Sequence, residues 1–427
     1  MGHWTGLLGM AVLMLVALAL STDRRRISVR TVAVGVAVQL CLAYLMLRFP
    51  PVSVPFDAIA AAVSTVISFA DEGTRFIFGN AANESGPWGF IFAVKVLPII
   101  VFFASLMAVL YHLGVMQRVI AAFAWAIRAV MGVSGTEALS AAANIFVGQT
   151  EAPLTIRPLI AGLTRSQVMC VMTCGFATIA GSVMAAYIAL LGGQDEAARM
   201  LVAKHFITAS VMSAPAAIVM AKIMLPETGV PREESLEAMR SVPRESSNLV
   251  DAAAVGATDG LRLALNVAAM LVAFVALIAL LNYPLAALSD MEFLAGVRER
   301  WGIPVLTFQN ILGMVLRPFA WCMGAGPDSA ALGSLMGQQV IATEFVAYAD
   351  LARMKAEQVI SPRGAAIATF ALCGFANLPS IAIQVGGLSA LAPGRRGDFA
   401  SIGPRAMVAG ALACWMTGAV ASVVLPS

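Results

Sequence analysis

Gly148-Gln149-Thr150-Glu151-Ala152-Pro153 interrupts the apolar stretch 133–163 near its middle, where a continuous membrane helix would suffer most. The chain is expected to dip in there and return. A second stretch, 328–358, repeats the arrangement with Gln338-Gln339 and Thr343-Glu344 at its centre. After each dip comes a long apolar run that opens with the same words. They are Cys174-Gly175-Phe176-Ala177-Thr178 in the first half and Cys373-Gly374-Phe375-Ala376-Asn377 in the second, 199 residues apart (373 minus 174). A repeated unit of dip plus broken helix, with an odd number of crossings from the first dip to the second (164–192, 199–224 and 259–281), predicts two halves of inverted topology.

The rest of the chain fits that setting. Of 427 residues, 60% are hydrophobic and 12% charged, against roughly a quarter charged in a soluble domain. Runs 5–20, 31–48, 89–111, 164–192, 199–224, 259–281, 364–391 and 403–424 are near the roughly 20 apolar residues that a helix needs to cross hydrocarbon. The fold class is therefore an all-α polytopic membrane protein, with about eight transmembrane helices, two re-entrant hairpins and broken helices in inverted repeats. Residues 54–79 carry acids and an arginine among apolar stretches. The acids are Asp57, Asp71 and Glu72 and the arginine is Arg75, and like 116–131 the segment is expected to form an interfacial helix. The first run lacks a basic leader and is followed by Asp23-Arg24-Arg25-Arg26 without a small-residue cleavage site, so it is expected to be retained.

Basic residues mark the cytoplasmic loops. Arg24, Arg25, Arg26 and Arg30 follow the first crossing, Arg232, Arg240 and Arg244 lie in the polar loop 226–250, and Arg395 and Arg396 precede the last crossing. Segments 51–87 and 193–198 hold Asp57, Asp71, Glu72, Glu84, Asp195 and Glu196 with few positive charges, which places both termini outside. The cysteines at 41, 170, 174, 322, 373 and 414 sit in apolar runs without metal-ligand spacing, and read as small buried residues.

A carboxylate at the bilayer centre costs at least ~2.5–3.5 kcal/mol on insertion scales. Glu151 and Glu344 therefore require a polar cavity or a partner. Gly148, Pro153, Gly181 and Pro379 ease helix unwinding beside them, freeing backbone groups that are tolerated at that depth only along a cavity. Two hairpin tips facing two broken helices would bring together Gln149, Thr150, Glu151, Glu344, Asn377 and Ser380, a set suited to a substrate rich in donors and acceptors. Such an architecture belongs to secondary transporters. No G-x-x-x-x-G-K-[ST] loop is present for an ATP-driven pump, and neither H-E-x-x-H nor G-x-S-x-G for an intramembrane enzyme using the two acids. His3, His112 and His205 lie far from both acids in sequence. A passive channel would want a continuous polar stripe, whereas the polar groups here cluster at one depth.

Gly148-Gln149-Thr150-Glu151-Ala152-Pro153-Leu154, Glu344-Phe345-Val346-Ala347-Tyr348 and Cys373-Gly374-Phe375-Ala376-Asn377 closely resemble the signature segments of concentrative nucleoside transporters. Gly175–Gly181 and Leu225-Pro226-Glu227-Thr228 add to the likeness, which runs from about residue 90 to the C-terminus. The resemblance implies a bacterial inner-membrane symporter, a homotrimer in the lipid bilayer whose protomers each pair a scaffold with a moving transport domain. It implies no enzymatic activity, no cofactor and no nucleic-acid partner. The expected partition is 1–115 for scaffold helices, 116–224 for the first transport repeat, 225–285 for the loop and a scaffold helix, and 286–427 for the second repeat.

By the same resemblance, Gln149, Thr150 and Glu151 would meet the nucleobase, with Val183 nearby. Glu344, Asn377 and Ser380 would meet the ribose, and Phe375 and Leu263 would form apolar walls. Asn144 and Thr178 side chains with Val147 and Ile179 carbonyls would hold Na⁺ as coupling ion. Many members carry Lys and Asn where this chain has Gln339 and Thr343, and a serine where it has Pro379. The missing lysine beside Glu344 keeps H⁺ coupling open as the alternative, and base preference is open as well.

Overall fold

Starts and breaks written into the sequence divide the apolar runs into helices. The computed structural model describes residues 2–83, 88–89, 91–193, 195–231, 246–291, 296, 298, 300 and 305–426, and all regular elements among them are helical. Glu84, Arg232, Arg240 and Arg244, used above for orientation, lie outside the described residues. Three helices open the chain: α1 (Gly2–Ala19), α2 (Val29–Leu47) and α3 (Pro50–Phe78). Ser28 caps α2 by accepting from the Thr31 N–H, and prolines in the first turn of α3 sit where no intrahelical donor is needed. α4 (Leu97–His112) and α5 (Val115–Met131) follow. Met116, Ile120, Ala124 and Met131 form the single buried stripe of α5, as an amphipathic helix requires.

The first dip consists of α6 (Gly135–Asn144), a turn through 145–151 and a tightly wound stretch, Ala152–Gly162. The broken helix after it is α7 (Arg165–Phe176) and α8 (Gly181–Gly192), followed by α9 (Glu196–Met224). α10 (Leu249–Ser289) spans 41 residues, about 60 Å at 1.5 Å per residue. It runs well past the 259–281 expected from hydropathy, starting at an Asn248 cap that accepts from the Asp251 N–H and continuing through alanine- and leucine-rich ends. α11 (Phe308–Ala320) leads into the second dip, α12 (Ser329–Ile341) and α13 (Glu344–Ala356). The second broken helix is α14 (Pro362–Ala371) and α15 (Leu378–Leu391), and α16 (Arg396–Val424) ends the chain.

Seven stretches among the described residues are long and apolar enough to cross a membrane. Six of them correspond to expected runs. The seventh, Pro50–Ala82, was expected to be too polar, yet its composition would allow a crossing. The core is built on α7–α8, α9 and α16, whose apolar windows are 83, 89 and 83% buried, while α10 at 11% lies on the outside. Cys170, Cys174, Cys373 and Cys414 are buried as expected. Cys41 is exposed and Cys322 half-exposed; the buried stripe of α2, Gly35, Gln39, Ala43 and Met46, leaves Cys41 on another face.

Each dip is closed at its mouth. Ser134 caps α6 and Thr164 caps α7, both in full capping boxes with Glu137 and Gln167. Gln167 Nε2 donates to Ser134 Oγ at 3.0 Å, joining the two caps. In the second half Asp328 precedes α12, and its carboxylate accepts from the N–H and the hydroxyl of Ser361, the cap of α14. The first mouth has a further anchor. Lys222 Nζ lies 2.5 Å from Glu137 and 3.7 Å from Glu227, and donates to Ser166 Oγ at 3.0 Å. Removing one partner of such a buried pair leaves an uncompensated charge, at about 3–5 kcal/mol.

Candidate functional site

The break in each long helix leaves carbonyls without intrahelical partners, and the chain satisfies them with side chains. Gln339, on α12, donates from Nε2 to the carbonyls of Leu372 (3.1 Å) and Gly374 (2.9 Å). The two breaks touch, since Phe375 N–H donates to Thr178 O at 3.3 Å. A Cβ on Gly374 would collide with Cys414 Sγ and with Phe176 O, so only glycine admits this crossing.

At the second tip Thr343 caps α13 by accepting from Val346 N–H, and Glu344 is the first helical residue. Its carboxylate thus stands at the positive end of a helix dipole. Oε1 accepts from the Tyr187 hydroxyl and Oε2 from Asn377 Nδ2, both at 2.9 Å. Asn377 is itself the cap of α15. Its Oδ1 accepts from Ser380 N–H at 2.9 Å, which turns the amide nitrogen toward Glu344. Pro379, in the first turn of α15, occupies a position where a helix needs no donor. An aromatic cluster walls the carboxylate: the ring of Tyr187 lies 4.6 Å from that of Phe345 and 4.4 Å from that of Tyr348, between centroids.

At the first tip the side chain of Gln149 is buried. Its Nε2 donates to Ser380 Oγ at 3.1 Å, and its Oε1 accepts from Gln384 Nε2 at 3.0 Å. Thr150 and Glu151 are exposed beyond it. Behind the tip, Gly181 N–H donates to Phe146 O at 3.0 Å, holding the turn against the break that contains Thr178 and Ile179. Asn144, Val147, Thr178 and Ile179 are all buried around this seam. Asn144 Nδ2 donates to Ser140 O at 2.8 Å and Thr178 Oγ1 to Cys174 O at 2.9 Å. Asn144 Oδ1 is buried with no hydrogen-bond partner. An orphaned carbonyl oxygen in a wall of neutral oxygens fits a hard monovalent cation.

Most residues singled out from the sequence therefore converge on one region. Gln149, Ser380, Asn377 and Glu344 join the first tip, the second broken helix and the second tip through direct bonds or helix caps. Val183 is buried on α8, while Phe375 and Leu263 are partly buried at the edge of the core. Sequence reasoning overlooked Tyr187 and Gln384. Gln384 could have been found, because it falls four residues after Ser380 and so shares its helix face. Tyr187 lies inside a wholly apolar run, where nothing in spacing separates it from a packing aromatic. No group of three or more His, Cys, Asp or Glu side chains among the described residues could hold a metal ion.

Comparison with known proteins bears on this arrangement. The family described as Na⁺ dependent nucleoside transporter matches with its C-terminal part over residues 205–422 and its N-terminal part over 8–81, and a nucleoside recognition segment matches over 93–194. The chain is 43% identical to an uncharacterized transporter of Haemophilus influenzae, over 98% of this chain and 97% of the relative. It is 40% identical to the mouse sodium/nucleoside cotransporter 1, over 97% of this chain and 63% of that longer protein. The solved structure of CNTnw in an inward-facing, substrate-bound state superposes with a TM-score of 0.87 at 41% identity, covering 99% of this chain and 98% of that one.

Proposed function

The chain belongs to the concentrative nucleoside transporter family, multi-pass membrane proteins that couple nucleoside transport to a cation, and from that premise we propose that it imports uridine- and adenosine-type nucleosides driven by Na⁺. The observation that carries the reading is the buried, unpartnered Oδ1 of Asn144 beside the first break. Asn144 and Thr178 side chains with the carbonyls of Val147 and Ile179 would hold the ion there, and its charge would couple import to the membrane potential. One charge moving down 100 mV is worth ~2.3 kcal/mol, enough for roughly fifty-fold accumulation.

The substrate lies between the two tips. Glu344, Asn377 and Ser380 take the ribose, since a carboxylate only accepts and suits vicinal hydroxyl donors. Gln149, Thr150 and Glu151 face the base, Val183 packs beside it, and Phe375 and Leu263 form the apolar walls. We place the protein in a bacterial inner membrane as a homotrimer with both termini outside, α3 and α5 lying in the interface. Residues 116–224 and 286–427 move as the two transport repeats against the scaffold of 1–115 and 225–285.

Radiolabelled uridine and adenosine uptake into proteoliposomes tests the proposal, comparing an inward Na⁺ gradient with an inward H⁺ gradient at the same potential. Uphill accumulation with Na⁺ alone is expected. Accumulation with H⁺ alone would move the coupling role to Glu344 or Glu151, and none with either would sink the substrate class.

A further inference from the structure

We propose that Gln384 fixes the direction of the Gln149 amide, so that the site turns an N–H, rather than a carbonyl, toward the base edge of its nucleoside. The inference rests on the reading above that Gln149 faces the base, and adds which chemistry that base edge must offer.

The geometry leaves one consistent orientation. Gln384, on α15, places Nε2 at 3.1 Å from the backbone carbonyl of Met172 on α7 and at 3.0 Å from Gln149 Oε1. A backbone carbonyl only accepts, so the part of the Gln384 amide that meets Met172 is the nitrogen. The second proton of that nitrogen needs an acceptor, and Gln149 supplies its oxygen. The nitrogen of Gln149 is thereby sent the other way, 3.1 Å from Ser380 Oγ. Reversing Gln149 alone would set two donors against each other. Reversing Gln384 would set its oxygen against the Met172 carbonyl. Gln149, Ser380 and Gln384 are all buried, so bulk water does not compensate either error.

Gly175 holds the arrangement from behind. A Cβ added there would stand 2.7 Å from Gln384 Nε2 and 3.1 Å from Gln149 Cβ. The bare backbone is what admits both amides side by side. Gln384 is thus a positioning residue. It relays the fixed polarity of a helix carbonyl on the first broken helix through the second broken helix to the tip of the first hairpin. With that polarity set, Gln149 favours a base that presents a carbonyl over one that presents an amine, as uridine does relative to cytidine at C4.

The test is the ratio of uridine to cytidine initial-rate efficiency in proteoliposomes of the full chain, at fixed cation gradient. The native protein is expected to favour uridine. Gln384→Met keeps an unbranched side chain of similar size but releases the Gln149 amide, and should lower the ratio at least about fivefold, each tenfold corresponding to ~1.4 kcal/mol of discrimination. Gly175→Ala leaves both glutamines in place and displaces only their contact, and should lower the ratio in the same direction. A general structural defect would reduce both substrates alike, so an unchanged ratio in the two variants overturns the positioning role, whatever the absolute rates. A native protein that takes up neither nucleoside would instead remove the parent reading.

Discussion

The two hairpins have the same architecture at their mouths and opposite chemistry at their tips. Each mouth ties two helix starts together, the cap Ser134 to Gln167 in the first turn of α7 in one and Asp328, ahead of α12, to the α14 cap Ser361 in the other. At the first tip the buried groups are neutral: Gln149 is held by amide and hydroxyl contacts, and Asn144 leaves one oxygen unpartnered. At the second tip stands a buried carboxylate with a donor on each oxygen. The mouths answer a requirement common to both halves, since every helix start must satisfy its first N–H groups. In the proposed function the two tips take different ligands: the unpartnered oxygen of Asn144 would hold the cation, whereas the acceptor-only carboxylate of Glu344, held by Tyr187 and Asn377, would meet hydroxyl donors.

The most severe way to break this contrast is Glu344→Gln. Replacing the carboxylate with an amide removes its charge and turns one of its two accepting oxygens into a donor, weakening its bonds to Tyr187, Asn377 and the ribose, and each hydrogen bond to a charged group is worth about 1.5–3 kcal/mol. Equilibrium binding of uridine should weaken by about a hundredfold or more, beyond the effect of Gln149→Ala. Normal uridine binding by Glu344→Gln would remove the ribose from this tip. Asn144→Ala is the complementary change and the next in size. Apparent Na⁺ affinity in uptake assays should fall at least about tenfold, with uridine affinity largely recovered at saturating Na⁺. If instead Asn144→Ala weakened uridine regardless of cation and Glu344→Gln altered only cation dependence, the two tips would have exchanged roles.

Much of this division was legible in the sequence, and for a physical reason. Polar words inside apolar stretches are costly enough that Gly148–Pro153, Thr343-Glu344 and Asn377 announce themselves, and the recurrence of Cys-Gly-Phe-Ala after 199 residues exposes the repeat. Broken helices follow from the same words. What the sequence hid was the pairing. Gln339 read as a missing lysine, yet its amide serves the two carbonyls freed by the second break. Composition likewise misplaced the limits of α10 and the exposure of Cys41, because hydropathy cannot distinguish a side chain facing lipid from one facing protein.

Tyr187 is the residue on which the second tip's pre-organisation can be measured most finely. Its hydroxyl is the only part of the side chain that Tyr187→Phe removes, so the ring contacts with Phe345, Tyr348 and Phe206 remain. Glu344 then keeps Asn377 and the α13 helix start as partners, while one carboxylate oxygen is left to seek a new donor. A hydrogen bond to a charged group is worth about 1.5–3 kcal/mol, and the ribose hydroxyls can replace part of it when substrate is bound. The expected result is therefore modest, a three- to tenfold change in the KM for uridine with Na⁺ dependence unaltered. The same variant also separates orientation from charge. If Tyr187 acts by aiming the carboxylate at the ribose, uridine should lose more affinity than a deoxyribonucleoside that offers one hydroxyl fewer. Equal losses would mean that Tyr187 stabilises the buried charge without directing it.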